Sequence, residues 1–287
     1  MYDIKIGTMV GSIEAPETIR KIKRYGFETF AINFWQNLGG CDLKKLADDV
    51  KCSLEGCDAV ISSIGVYGNS LSDPENLAGW KEIIENAHLF GTNIITGFAG
   101  GVVGESLENS LPRFKEVFTE LGKMAEDKGL KIAIENCAMG GTWKSVTQNI
   151  AFSPDAWELM FNEVNMDNVG LQWEPCHQMY WLIDPMCQLN EKWIPKIINI
   201  HGKDAYIDRD CLAKHGVYGP KEWITSRTPG FGQCDWTEII YRLRLHGYKG
   251  AIDIEGFHDS VYSGDMEYTG QVHALKYLKD CRGGEYR

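Results

Sequence analysis

Lys131-Ile132-Ala133-Ile134-Glu135-Asn136 is a short apolar run that stops on a carboxylate and an amide. A near-continuous run of this length, rich in Ile and without polar alternation, is the pattern of a parallel strand covered on both faces. Three later segments have the same build: Gly170-Leu171-Gln172-Trp173-Glu174, Ile198-Asn199-Ile200-His201 and Ile252-Asp253-Ile254-Glu255. Extending outward from these, candidate strands cover Lys5–Val10, Thr29–Phe34, Ala59–Val66, Asn93–Phe98, Lys131–Asn136, Val169–Glu174, Ile197–His201 and Ala251–Glu255. That makes eight.

The segments between them read as helices. Pro16 to Tyr25 opens with proline in its first turn and ends before Gly26. Leu43 to Gly56, Pro74 to Phe90 and Leu107 to Lys128 behave alike. Ser153-Pro154 supplies a cap and a proline at the first helical position for Asp155 to Val164, and Asp184-Pro185 repeats the device. Asp235 caps Trp236 to His246, and a last helix runs from about Gly270 to Lys279. Eight β/α alternations without a Ser/Pro-rich linker predict one α/β domain over residues 1–287, a closed (β/α)₈ barrel. The runner-up is a doubly wound open sheet, which needs a glycine-rich turn after the first strand. Val10-Gly11-Ser12-Ile13 is not that turn, and Gly230-Phe231-Gly232 reads as a loop. The 287 residues fit one such barrel, whose typical size is about 250.

A net charge of −11 argues against general affinity for nucleic acid or anionic membrane, since neutralising phosphates needs a basic face. Nine cysteines, an odd number without a CxxC pair, read as reduced cytosolic thiols. The start MYDIKIGTMVG has no charged leader, and no apolar stretch approaches the ~20 residues of a membrane span, so a cytoplasmic protein is expected. Nine Trp and twelve Tyr are generous; sugar sites use aromatic faces, although core packing is the commoner fate of such rings.

In a barrel of this kind functional groups lie at strand C-termini. Four consecutive strands end on Glu135, Glu174, His201 and Glu255. Three carboxylates converging in an apolar setting repel one another, and a divalent cation removes that penalty. Oxygen-rich ligation with one imidazole suits Mn²⁺ first, then Mg²⁺, with Co²⁺, Fe²⁺ or Zn²⁺ as substitutes. Any one of these residues alone is equally well a helix cap or salt-bridge partner. His177 braces the loop or meets substrate; Lys203 pairs with Glu135 or Asp204, or contacts substrate; Asp253, deeper in its strand, belongs to a layer beneath the ligands. Trp35, Tyr67, Phe98, Trp143 and Trp173 fall at rim positions, where Trp35, Tyr67 and Trp143 are candidate substrate contacts.

The segments IEN, WEPCH, IHGKD and GYKGAIDIEG, in this order and at these intervals, resemble the xylose-isomerase-like sugar phosphate isomerase/epimerase superfamily. The resemblance covers nearly the whole barrel. It implies a metal held by the residues matching Glu135, Glu174, His201 and Glu255, with substrate contacts from His177 and from Arg209 after strand seven. One position departs: the family has Asp where this chain has Glu174, so the carboxylate reaches one methylene further.

The chemistry that the resemblance implies is enolisation of a small sugar or polyol, with Glu135 and Glu255 exchanging roles as base and acid across a metal-stabilised enediolate. The same enolising site can eliminate, giving a dehydratase or lyase on a keto-sugar, keto-inositol or C-glycoside. Two other classes compete: an apurinic endonuclease, which would need a three-zinc cluster and a basic groove, and a non-catalytic partner subunit. No glycine-rich phosphate loop marks the substrate as phosphorylated. Barrels of this kind form homo-oligomers, but no segment here names an interface.

Overall fold

A computed structural model describes residues 3–256 and 258–284; Met1 and Tyr2 of the N-terminal stretch, and the last three residues counted with the domain, lie outside them. The chain forms β1 (Lys5–Gly11), β2 (Thr29–Trp35), β3 (Val60–Tyr67), β4 (Ile94–Gly97), β5 (Lys131–Glu135), β6 (Val169–Trp173), β7 (Ile197–Gly202), β8 (Asp204–Ile207), β9 (Ile224–Arg227) and β10 (Ala251–Ile254). Among the described residues eight of these close into a parallel barrel in the order β1-β10-β7-β6-β5-β4-β3-β2. The ring is sealed by β1 against β10, with Lys5 opposite Ala251 and Thr8 opposite Ile254.

The helices are α1 (Ala15–Ile22), α2 (Leu43–Leu54), α3 (Pro74–Asn86), α4 (Leu107–Glu126), α5 (Pro154–Glu163), α6 (Pro175–Tyr180), α7 (Arg209–His215), α8 (Trp236–Leu245) and α9 (Glu267–Arg282). The expected caps are present. Ser153 Oγ accepts from the Ala156 N–H and Asp235 Oδ1 from the Glu238 N–H, each satisfying a first-turn donor. Trp80, Trp157, Trp173 and Trp236 are fully buried between strands and helices.

Five elements differ from the sequence reading. The chain leaves the barrel after β7 into an antiparallel β8–β9 hairpin, with Asp204 opposite Arg227. Asp204 holds that exit: its Oδ1 accepts from the N–H groups of Ala205, Gln233 and Cys234 at 2.8–2.9 Å. Such short strands, with Tyr206 exposed, carry too little hydrophobic pattern to read. The short helices α6 and α7 also went unread, and the Asp184-Pro185 helix is a single 3₁₀ turn at Pro185–Gln188.

Two features lock the barrel. A Cβ at Gly65 would overlap the side chain and backbone of Thr96 on the neighbouring strand, so these staves approach only because position 65 has no side chain. At the other end Arg282 of α9 donates to Ile4 O at 2.8 Å and to both Glu28 oxygens, while Glu28 Oε2 accepts from the Ile6 N–H at 2.7 Å. Burial pushes the Glu28 carboxyl up, but Arg282 and the Ile6 N–H outweigh it and leave it below its usual value.

Gly65→Ala should cost about 1–3 kcal/mol of stability, the usual range for overpacking, read as a lower denaturant midpoint at unchanged slope. Because folding depresses Glu28, its contribution is present above its unfolded value of about 4.3 and fades as pH falls through the lower folded value. Denaturation from pH 7 to 3 should therefore show Glu28→Gln less stable than wild type at neutrality, the gap closing in acid.

Candidate metal centre and active site

Strand alternation decides which side chains meet. On β6, β7 and β10 the residues Gln172, Asn199 and Asp253 point inward, so positions two further on, Glu174, His201 and Glu255, share that face at the C-terminal mouth. Glu135 at the end of β5 joins them. All four are buried, Glu174 completely. Glu135, Glu174, His201 and Glu255 each offer one donor atom, and these atoms lie within 4.8 Å of one another. Four donors about 2.0–2.3 Å from one ion are at most about 4.6 Å apart, so a small closure brings this set onto a single cation.

Two of the four residues have unsatisfied donor atoms. Both Glu174 oxygens and both His201 ring nitrogens are buried without a hydrogen-bond partner. His201 Nδ1 is 3.0 Å from Glu255 Oε2 and 3.5 Å from Glu174 Oε2, but without hydrogen-bond geometry. Orphaned polar atoms in a dry site are costly unless something occupies the space between them. Charge points the same way. Lys203 Nζ lies 2.8 Å from Glu255 Oε1 and 3.5 Å from Glu174 Oε1. With the imidazoles neutral, as ligation requires of His201, three ionised carboxylates against that ammonium leave two negative charges, the charge that a divalent ion neutralises. The residues fit such an ion.

Backbone and amide contacts hold the donors in place. Asn136 forms a two-way clasp with Glu174, donating to its carbonyl at 2.9 Å and accepting from its N–H at 2.7 Å. Asn149 Nδ2 donates to the carbonyls of Glu135 and Cys137. Beneath the donors runs a polar layer. Asp253 accepts from Thr29 Oγ1 (2.6 Å), Ser62 Oγ (2.8 Å) and Asn199 Nδ2 (3.1 Å). Asn199 Oδ1 accepts from Gln172 Nε2, and Gln172 Oε1 from the Tyr67 hydroxyl.

Without a cation, the electrostatics of the cluster are divided. Burial drives Glu135 up, yet His177 and His201 hold its carboxyl at about 2. Burial also opposes ionisation of Glu255, and Lys203 and His201 outweigh it, leaving this group well below the usual carboxylate range. At Glu174 burial wins, supported by the charge of Glu255 against the pull of His177 and Lys203, and its value is raised. Burial lowers Lys203, but Glu174 and Glu255 hold it well above its ordinary value.

The cluster floors a cavity of about 840 Å³ whose lining includes Trp35, Tyr67, Phe98, His177 and Lys203. His177 Nε2 reaches Glu135 Oε1 at 3.2 Å and Glu174 Oε1 at 3.1 Å. Lys203 pairs with Glu255 and Glu174 rather than with Glu135 or Asp204. Other rim expectations need correction. Arg209 is exposed on α7 and lies outside the cavity lining, because Asp208 caps that helix and turns the chain away. Trp143 is absent from the lining too: its Nε1 donates to Glu108 Oε1 at 2.6 Å and its ring packs on Phe152. Trp173 is fully buried and donates to Gln188 Oε1.

Sequence reasoning missed His258, whose Nδ1 lies 2.9 Å from Glu255 Oε1. The spacing Glu255-x-x-His258 repeats that of Glu174-x-x-His177 and was a legible signal. It also missed Cys137, which converges with Glu135 and His177 within the same 4.8 Å limit, and Asn33, a buried amide in the cavity wall.

The arrangement defines a (β/α)₈ barrel with one carboxylate–histidine centre at the C-terminal ends of its strands. The chain belongs to the xylose isomerase-like TIM barrel family, whose model matches residues 19–281. It is 22% identical over 244 residues to the inosose dehydratase of Histophilus somni (strain 129Pt), covering 79% of this chain and 77% of that protein. Other inosose dehydratases match over about half of their own length. Among solved structures, the apo 3-keto-D-glucoside 4-epimerase YcjR from E. coli aligns with a TM-score of 0.71 at 16% identity, over 97% of this chain and 100% of that one. The IOLI protein with a binding zinc atom aligns at 0.66 and 17% identity, over 96% of each. At these identities the structural likeness is one of fold.

Titrating chelator-treated protein with Mn²⁺, Mg²⁺ or Zn²⁺ should raise its melting temperature, by about 2.7 kcal/mol of added stability when the ion stands at 100 times its Kd. Asn136→Ala, which unclasps Glu174, should weaken the ion 10–100-fold, the usual cost of losing such support. No shift with any divalent ion would contradict the centre.

Proposed function

We propose that the chain is a divalent-metal-dependent sugar isomerase or epimerase that removes a proton from the carbon beside a carbonyl. The observation that carries this reading is the convergence of Glu135, Glu174, His201 and Glu255 at the mouth of the barrel, with the buried oxygens of Glu174 and nitrogens of His201 unpartnered. The ion that suits this donor set is Mn²⁺, with Mg²⁺, Co²⁺, Fe²⁺ or Zn²⁺ as substitutes. When bound, it supplies electrophilic stabilisation of the oxygen that gains charge as the neighbouring C–H ionises.

The protein's own groups do the rest. Glu135 and Glu255 stand on β5 and β10, two strands that β6 and β7 separate in the ring, so their carboxylates reach a substrate between them from different sides. One, ionised, takes the carbon-bound proton; the other, which must enter the step protonated, returns its proton to the opposite face, giving inversion. Lys203, 3% exposed, holds a fixed positive charge beside Glu255 and steadies the enediolate oxygens. His177 orients substrate hydroxyls while tied to Glu135 and Glu174. The net negative charge argues against DNA as substrate.

A dehydratase is the second reading, favoured by the inosose dehydratases among the relatives. It uses the same first step: a carboxylate takes the C–H proton, and the electron pair then expels the β-hydroxyl, which leaves as water with a proton from His177. The two readings share enolisation and differ in the product.

Incubating metal-loaded protein with keto-sugars and inososes in D₂O should place deuterium at the carbon beside the carbonyl. NMR of the product separates epimerisation, which conserves mass, from elimination, which gives an unsaturated product. Glu255→Gln should lose both metal retention and exchange. Full exchange in that variant, or none in wild type with any keto-substrate, would sink the proposal, the latter in favour of a non-catalytic role.

A further inference from the structure

Glu174 presents its two oxygens to two different imidazoles. Its Oε2 lies 3.5 Å from His201 Nδ1, inside the centre described above, while its Oε1 lies 3.1 Å from His177 Nε2. The side chain is fully buried and neither oxygen has a hydrogen-bond partner. A dry, unpaired oxygen on the His177 side calls for a partner there as much as its twin does on the His201 side.

His177 does not stand alone on that side. One of its ring nitrogens, a Glu135 oxygen and Cys137 Sγ lie within 4.8 Å of one another, a second convergence that shares only Glu135 with the first. Glu135 Oε1 is 3.2 Å from His177 Nε2. Cys137 is buried and packs with Tyr67 and Phe98, as a small apolar side chain would. It also lines the cavity, and among the described lining residues it is the one cysteine. The backbone keeps these groups in place. Asn149 Nδ2 donates to the carbonyls of both Glu135 and Cys137, and α6 starts directly after Glu174, which sets His177 in its first turn. Three donors therefore converge, and Glu174 Oε1 stands beside them as a fourth.

The two donor sets differ in softness. Carboxylates with one imidazole suit hard ions such as Mn²⁺ and Mg²⁺, whereas a thiolate with imidazole and carboxylate oxygens is a tetrahedral set for Zn²⁺. We infer that Cys137, His177, Glu135 and Glu174 hold a second divalent cation of the zinc type beside the first, with the two carboxylates bridging. The inference rests on the metal centre proposed above, because it shares Glu135 and Glu174 with it. Lys203 and the first ion together balance the three carboxylates, and the second ion must also displace the thiol proton, so it binds more weakly than the first. An ion in this place withdraws His177 from substrate, which on the proposed chemistry makes the site inhibitory.

Equilibrium dialysis of the chelator-treated, reduced full chain against Co²⁺, a spectroscopic stand-in for zinc, tests the inference through metal content and absorption. Sulfur bound to Co²⁺ gives an intense near-ultraviolet charge-transfer band that oxygen and nitrogen ligands do not give. The first equivalent should bind without that band, and a second, weaker equivalent should bring it; Mg²⁺ should stop at the first. Cys137→Ser should lose the band and the second equivalent while keeping the first, which also shows that the variant folds. Cys137→Ala, matched to the apolar surroundings, should behave alike. The inference fails if wild type takes up a single equivalent, if the second comes without the band, or if the band survives both substitutions. A single equivalent leaves the first centre standing, whereas no bound cobalt at all removes both, so the two failures are told apart.

Discussion

Three buried carboxylates whose donor atoms lie within 4.8 Å, together with one imidazole, form the constraint around which this molecule is arranged. Left to themselves such charges would separate or take up protons, and burial does raise Glu174. Lys203 compensates one charge and leaves two. A divalent ion, as proposed, would meet the remainder, since both Glu174 oxygens and both His201 nitrogens lack a hydrogen-bond partner.

Holding repelling groups together requires rigidity, and the chain provides it beneath the mouth. The layer that runs from Asp253 through Asn199 and Gln172 to Tyr67 replaces apolar barrel filling with hydrogen bonds across several staves. Such a network is costly if any member goes unpaired, and here its members are paired. It carries the alternation of β6, β7 and β10 directly into the positions of Glu174, His201 and Glu255. The Asn136 clasp adds the one link that strand pairing does not provide, from the end of β5 to Glu174.

Part of this was legible in the chain. Apolar runs such as Ile132-Ala133-Ile134 and caps such as Ser153 are local signals, and the barrel strands lie close to where those signals place them. The four strand-end residues that converge, Glu135, Glu174, His201 and Glu255, were legible for the same reason, since a polar group closing an apolar run is visible without coordinates. Arg209 and Trp143 were not placed by such a signal. Whether a loop residue faces the mouth or the solvent depends on how Asp208 and Glu108 take up its neighbours or its own side chain. The β8–β9 hairpin, held by Asp204 accepting from residues about thirty positions away, is equally non-local.

The sequence by itself determined the order of the eight barrel strands, most of the helices between them and the residues that end those strands, because hydrophobic periodicity and capping act over a few neighbouring positions. Only the tertiary structure decided that the chain leaves the barrel after β7 into the β8–β9 hairpin, that Lys203 turns to Glu255, and that His258 and Asn33 join the cavity. The side-chain outcomes depend on the curvature of a closed ring, which brings together side chains far apart in the chain, and no local pattern encodes it.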